Sequence, residues 1–153
     1  MQYFYKRRQG IFNSICAPAI RGLESRRNLE SAMSETYRKI AASEAVFVAD
    51  SHFRDRTLPG EAERRDRFAR LLESVPSDGA VFMRGDIFDF FFEYKSVVPK
   101  RYFDVYNALY RCTSRGVDVH FLGGNHDYWF NNFLEDEIGV ASHGEHLFVE
   151  CQG

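Results

Sequence analysis

Three polar segments in this 153-residue sequence gather side chains able to bind cations or move protons: Asp50-Ser51-His52, Gly85-Asp86-Ile87-Phe88-Asp89 and Gly124-Asn125-His126-Asp127. Each closely follows an apolar run: Ala45 to Ala49, Ala80 to Met83, and Val117 to Leu122. The end of a buried strand is a costly place for charge unless a counter-charge sits there too. Several carboxylates converging on one sheet edge repel one another, and a divalent cation relieves that repulsion. In Asp50-Ser51-His52 the two outer side chains can turn toward one point, offering an oxygen and a nitrogen to a single ion. Such a mixed donor set suits Mn2+, Fe or Zn2+ better than Ca2+ or Mg2+ alone. Gly85 and Gly124 fit tight turns where the backbone passes close to the ions. Each segment alone has a blander reading: a carboxylate capping a turn, a turn before a helix N-cap, a β-turn. Together, in this order and each after its own strand, they read as one metal site.

The elements that must position these segments alternate. Ala45 to Ala49 is a strand, apolar on both faces as a central buried strand is. Glu61 to Ser74 has helical spacing, with Ala62, Phe68, Leu72 and Val75 on one stripe and Glu61–Arg65 and Glu63–Arg67 pairs expected on the solvent face. Pro76 and Gly79 end it, and Ala80 to Met83 is the second strand. A second helix is predicted from near Pro99, burying Tyr102, Val105, Leu109 and Cys112, with Gly116 as its stop. Val117 to Leu122 is the third strand, and His146 to Cys151 a further one. The fold class is therefore α/β. Strands joined by helical crossovers of this length run parallel, which brings all three polar loops to one edge of the sheet. Open α/β sheets bind ligands along that edge.

Composition narrows the function classes. With 44% hydrophobic residues the chain can bury a core, and a net charge of −2 offers no electrostatic case for nucleic acid as a partner. No stretch approaches the roughly 18 apolar residues of a membrane-spanning helix, so the expectation is a soluble protein. Cys16, Cys112 and Cys151 lie too far apart for a thiolate zinc motif and read as reduced, cytoplasmic thiols. Lys6, Arg7 and Arg8 precede an apolar segment that Asn13, Ser14 and Pro18 interrupt, which argues against a secretory signal. Residues 1–40 carry eight basic and three acidic residues, net +5, ahead of an acidic body. Residues 1–43 read as a basic extension, partly helical around Asn28 to Ile40 or disordered, and 44–153 as the domain that carries the three polar loops. Attraction of the leader to anionic headgroups is one reading of that charge, and a solvated extension is the other.

As a set, the three segments resemble the first three signatures of the calcineurin-like metallophosphoesterases, over about residues 45–150. Gly85 to Tyr94 and Val119 to Phe130 are similar, more narrowly, to the UDP-2,3-diacylglucosamine pyrophosphatases, which cut a nucleotide–lipid pyrophosphate in lipid A biosynthesis at the inner membrane surface. The resemblance implies an αββα sandwich, here its N-terminal β-α-β-α-β half. It implies two divalent ions, Mn2+ first and Fe or Zn2+ as alternatives. Asp50 and His52 would bind one ion, Asp86 would bridge both, and Asn125 would bind the second and touch the substrate phosphate. A bridging hydroxide would attack phosphorus in line. His126 would offset charge on the phosphoryl oxygens, Asp127 would fix its tautomer, and Asp89 would orient a ligand. Phe91, Tyr128 and Trp129 would form an aromatic rim for acyl chains. The implied partners are a phosphorylated substrate of the UDP-diacylglucosamine kind and an anionic membrane touched peripherally from the cytoplasm.

The family's later His-Gly-Asp-like and Gly-His-x-His-like segments do not occur in the 153 residues. On that ground the second sheet is expected to be incomplete and the exposed apolar face to favour self-association. His143-Gly144-Glu145-His146 has ligand-like spacing and also reads as a surface turn, while His120 reads as a core or sheet-face histidine. Hydrolysis of another phosphodiester or a phosphoprotein, and a truncated remnant acting only as an interaction module, remain the alternatives to a lipid pyrophosphatase.

Overall fold

The computed structural model describes residues 3–8, 37–143 and 147–152. Strands β1 (Tyr3–Arg8), β2 (Tyr37–Ala41) and β3 (Glu44–Ala49) precede helix α1 (Glu61–Ser74), strand β4 (Ala80–Arg84), a single 3-10 turn (Lys100–Tyr102) and helix α2 (Phe103–Thr113). Strand β5 (Asp118–Leu122), helix α3 (Phe133–Asp136) and strands β6 (Ala141–His143) and β7 (Phe148–Gln152) follow. A five-stranded sheet has the order β1-β3-β4-β5-β6, and β2 pairs with β7 in a second sheet of two. Strands β3, β4, β5 and β6 are mutually parallel, as the alternation of strands and helices requires.

The alternation of side chains along each strand divides the core. Val46, Val48, Val81, Met83, Val119 and Phe121 face the helices and join Phe68, Leu72, Val105, Leu109 and Cys112 in the main cluster. Ala80 and Phe82 point to the opposite face and pack with Ile40. Residues Ala80 to Met83 are all buried, the pattern of a strand covered on both sides. The predicted α2 stripe of Tyr102, Val105, Leu109 and Cys112 is buried throughout.

Four expectations are corrected. Tyr3–Arg8 is a strand, paired antiparallel with β3 from Tyr3↔Ala49 to Arg8↔Glu44, which satisfies the backbone groups of an otherwise open edge. Of the helix placed around Asn28 to Ile40, residues 37–40 belong to β2, and the rest lie outside the described residues. The last strand begins at Phe148 and pairs with β2 in the second sheet, while the main sheet is extended by β6, whose three residues are too few to show a period. Glu61 and Arg65 sit on the buried stripe of α1, at the same spacing as Phe68 and Leu72, and only Glu63–Arg67 is a surface pair. No helix among the described residues is long and apolar enough to cross a membrane.

Candidate metal centre

The three polar loops continue the sheet's hydrogen bonding past the strand ends. The amides of Asp50, His52 and Phe53 donate to the carbonyls of Gly85 (3.1 Å), Asp86 (2.7 Å) and Ile87 (2.9 Å). The Gly85 amide donates to the Leu122 carbonyl at 2.8 Å, and that of Phe91 to the His126 carbonyl at 3.0 Å. This laddering puts candidate ligands from three chain segments side by side. Asp50, His52 and Asp86 hold left-handed backbone angles (φ 53°, 42° and 51°), which cost on the order of 1–3 kcal/mol each and cluster where function requires them.

The side chains meet. His52 Nε2 is 2.9 Å from Asp50 Oδ1 and 3.9 Å from Asp86 Oδ2, and His52 Nδ1 is 3.9 Å from Asp89 Oδ1. The rings of His52 and His126 meet edge to face at 4.6 Å. Two groups of three can hold a cation, Asp50–His52–Asp86 and His52–Asp89–His126, with donor atoms inside each group within 4.8 Å of one another. His52 belongs to both. Three carboxylates and two imidazoles, partly exposed, form a donor set that fits divalent transition ions.

His126 is fixed at both ends. Its amide donates to Asp86 Oδ1 at 3.0 Å, and its ring Nδ1 lies 2.6 Å from the Asp89 carbonyl oxygen. A carbonyl only accepts, so Nδ1 carries the proton and Nε2 is left with the lone pair or a second proton. The residue that sets the tautomer is thus Asp89, through its backbone, and the role expected of Asp127 is corrected. Asp127 is fully buried and accepts amide hydrogen bonds from Gly124 (2.6 Å) and Ile87 (2.7 Å), with longer ones from Phe88 (3.1 Å) and Asp86 (3.2 Å). Burial pushes its carboxyl above the usual range, and the four amides pull the other way. Asp127 therefore staples the second loop to the third. Gly124 is obligatory for the same junction, since a Cβ there would stand 2.8 Å from Asp86 Cγ.

Asn125 is exposed on the turn before His126, with no hydrogen-bond partner among the described residues. Tyr128 and Trp129 are also exposed beside the cluster, together with Phe90, Phe92 and Tyr94. Phe91, expected on the rim, is fully buried against Phe88 and Tyr106 and belongs to the core, because neighbours in an extended segment point to opposite sides. His120 is buried and stacked on Phe82 on the far face of the sheet, with Nδ1 3.0 Å from His143 Nε2 and Nε2 3.1 Å from Asp118 Oδ1. Residues 144–146 lie outside the described residues, and the ligand-like spacing from His143 to His146 falls there with them.

Sequence reasoning missed three supporting residues. Glu93 is buried and receives the amides of Asn131 (2.8 Å) and Phe133 (3.2 Å), a second staple between the same loops. Glu61 accepts the Arg54 amide, and Arg64 donates to the Ser51 carbonyl. The one available signal was an acidic residue inside the aromatic run Phe90-Phe91-Phe92-Glu93-Tyr94, where a charge needs partners.

Residues 45–150 match the family model for calcineurin-like phosphoesterases. A protein of Porphyromonas gingivalis described as UDP-2,3-diacylglucosamine hydrolase is 32% identical over 112 residues, 72% of this chain and 43% of that protein. The chain thus spans less than half the length of this relative.

Proposed function

The chain belongs to the calcineurin-like phosphoesterase family, and from that premise we propose that it is a metal-dependent hydrolase of a phosphoester or pyrophosphate, with a UDP-diacylglucosamine-type lipid as substrate. The observation that carries this reading is the convergence of Asp50, His52 and Asp86 on one point, with His52 shared by a second group containing Asp89 and His126. Asp50, His52 and Asp86 would hold one divalent ion and Asp86 with Asn125 a second, Mn2+ in the first instance and Fe or Zn2+ as alternatives. When bound, such ions supply Lewis acidity toward phosphoryl oxygens and make water acidic enough to react near neutral pH.

The chain's own groups divide the remaining work. Asp50 and His52 contribute an oxygen and a nitrogen from one loop. Asp86 holds the His126 amide with Oδ1 and faces His52 with Oδ2, so it links the first group to the His126 turn. His126, oriented by the Asp89 carbonyl through Nδ1, keeps Nε2 as its remaining nitrogen, which would serve either a cation or, when protonated, the phosphoryl oxygens. Asn125, one residue earlier on the same turn, would bind the second ion and touch the phosphate, as the family resemblance implies. The exposed aromatics Phe90, Phe92, Tyr94, Tyr128 and Trp129 support an acylated substrate, since chains buried against them gain about 0.8 kcal/mol per CH2. The net +5 of residues 1–40 supports peripheral contact with an anionic cytoplasmic membrane surface.

The test pairs Mn2+ titration of the full chain with turnover of UDP-2,3-diacylglucosamine and of bis-p-nitrophenyl phosphate. Micromolar Mn2+ binding and hydrolysis of the lipid are expected, and Asp86→Ala should abolish both. Turnover of the small diester alone would move the substrate to another phosphodiester. Failure to bind Mn2+, Fe2+ or Zn2+ would end the case for catalysis by this chain.

A further inference from the structure

We propose that Glu61 and Arg64, in the first turn of α1, are positioning residues that hold the Asp50–His52 loop in its ligand-presenting conformation. The inference rests on the metal-binding reading of that loop and assigns it a support outside the ligand cluster. Glu61 is fully buried, although its sequence spacing places it among solvent-facing pairs. Its Oε1 accepts the Arg54 amide at 3.1 Å, and its Oε2 accepts Arg64 Nη1 at 2.6 Å. The other terminal nitrogen of Arg64 donates to the Ser51 carbonyl. The Arg64 guanidinium also lies 5.7 Å from the centre of the Phe53 ring.

The helix thus grips a backbone carbonyl before His52 and a backbone amide after it. From the opposite side, the His52 amide is tied to the Asp86 carbonyl at 2.7 Å. His52 sits between these holds at φ 42° and Asp50 just before them at φ 53°, angles that non-glycine residues abandon when nothing enforces them. A buried carboxylate near a helix N-terminus is favoured by the free amides and dipole there, and from that position Glu61 organises Arg64 and Arg54. Because His52 serves both candidate cation groups, loosening this loop acts on both at once. Partners that orient ligands commonly govern metal affinity by about 10–100-fold.

The experiment compares the full chain with Glu61→Gln and Arg64→Met, using Arg67→Ala, from the exposed pair on the same helix, as control. Two readouts are taken: Mn2+ affinity by calorimetry, and amide hydrogen exchange of the metal-free chain. Expected is a Kd weakened by about 10–100-fold in both variants, with unchanged far-UV circular dichroism and faster exchange confined to residues 50–54. Arg67→Ala should match the parent in both. Glu61→Gln keeps an oxygen for the Arg54 amide, and Arg64→Met keeps an apolar stem over Phe53, so one folded variant suffices. A folded variant with parental Kd and parental exchange overturns the proposal. If the parent itself takes up no Mn2+, Fe2+ or Zn2+, the metal reading fails. The exchange data then decide the clamp alone: faster exchange at residues 50–54 sustains it, and unchanged exchange refutes it.

Discussion

Neighbouring residues in the Gly124–Asp127 turn do different work. His126 reaches toward the cation groups, whereas Asp127 turns inward and collects four amides from two loops. A charged acceptor of this kind contributes more than a neutral one, and removing it strands buried donors. Asp127→Ala should therefore destabilise the chain by about 2–4 kcal/mol, measured as a lower urea midpoint with unchanged slope. Asp127→Asn, which keeps one acceptor oxygen, should cost about half of that. Parental midpoints for both substitutions would remove Asp127 from the loop junction. Which residues gather at the sheet edge was legible, because carboxylates and imidazoles set directly after buried strands demand a counter-charge at that spot. Which of them ligate, staple or orient was not, because side-chain direction at a turn depends on φ values that residue type alone does not dictate.

At the scale of elements, helix α1 is the instructive case. Its inward stripe is Glu61, Arg65, Phe68 and Leu72, so two charges share a face with two apolar residues. Arg65 Nη1 bonds the Arg101 carbonyl and Asp104 Oδ1, each at 2.7 Å, which ties α1 to the start of α2. Arg65→Met should cost about 2–3 kcal/mol, below a fully buried pair because Asp104 keeps contact with water. Arg67→Ala, in the exposed pair, should cost under about 0.5 kcal/mol. Equal melting temperatures for the two variants would contradict the buried network. Between the helices, Cys112 is buried and its thiol is pushed up by desolvation. Since the thiolate is the reactive form, Cys112 should resist alkylation at neutral pH in the folded chain and react once urea unfolds it, as peptide mass mapping would reveal. The helix periods were readable from spacing, but i,i+4 ion pairs look alike on a buried and an exposed face, and only the docking of α1 on α2 distinguishes them.

At the scale of the molecule, the parallel order β3-β4-β5-β6 places the cation groups and the exposed aromatics on one edge of the sheet. Trp129 is the sole tryptophan of the chain and is 55% exposed, so its fluorescence reports on that edge. Emission should lie at long wavelength in buffer and shift to shorter wavelength with anionic vesicles, reversing as salt screens the basic leader. The same shift with neutral vesicles would assign the contact to aromatic burial without charge. An unmoved spectrum would detach this edge from the membrane.

The sequence by itself determined the α/β alternation, the three strand-end loops and the chemical types gathered in them, because apolar period and residue chemistry are local properties. Only the tertiary structure decided that His52 joins both cation groups, that Asp89 orients His126, that Phe91 turns into the core, and that Glu61 and Arg64 reach back to the first loop. Those outcomes depend on distances between segments far apart in the chain, set by register and packing.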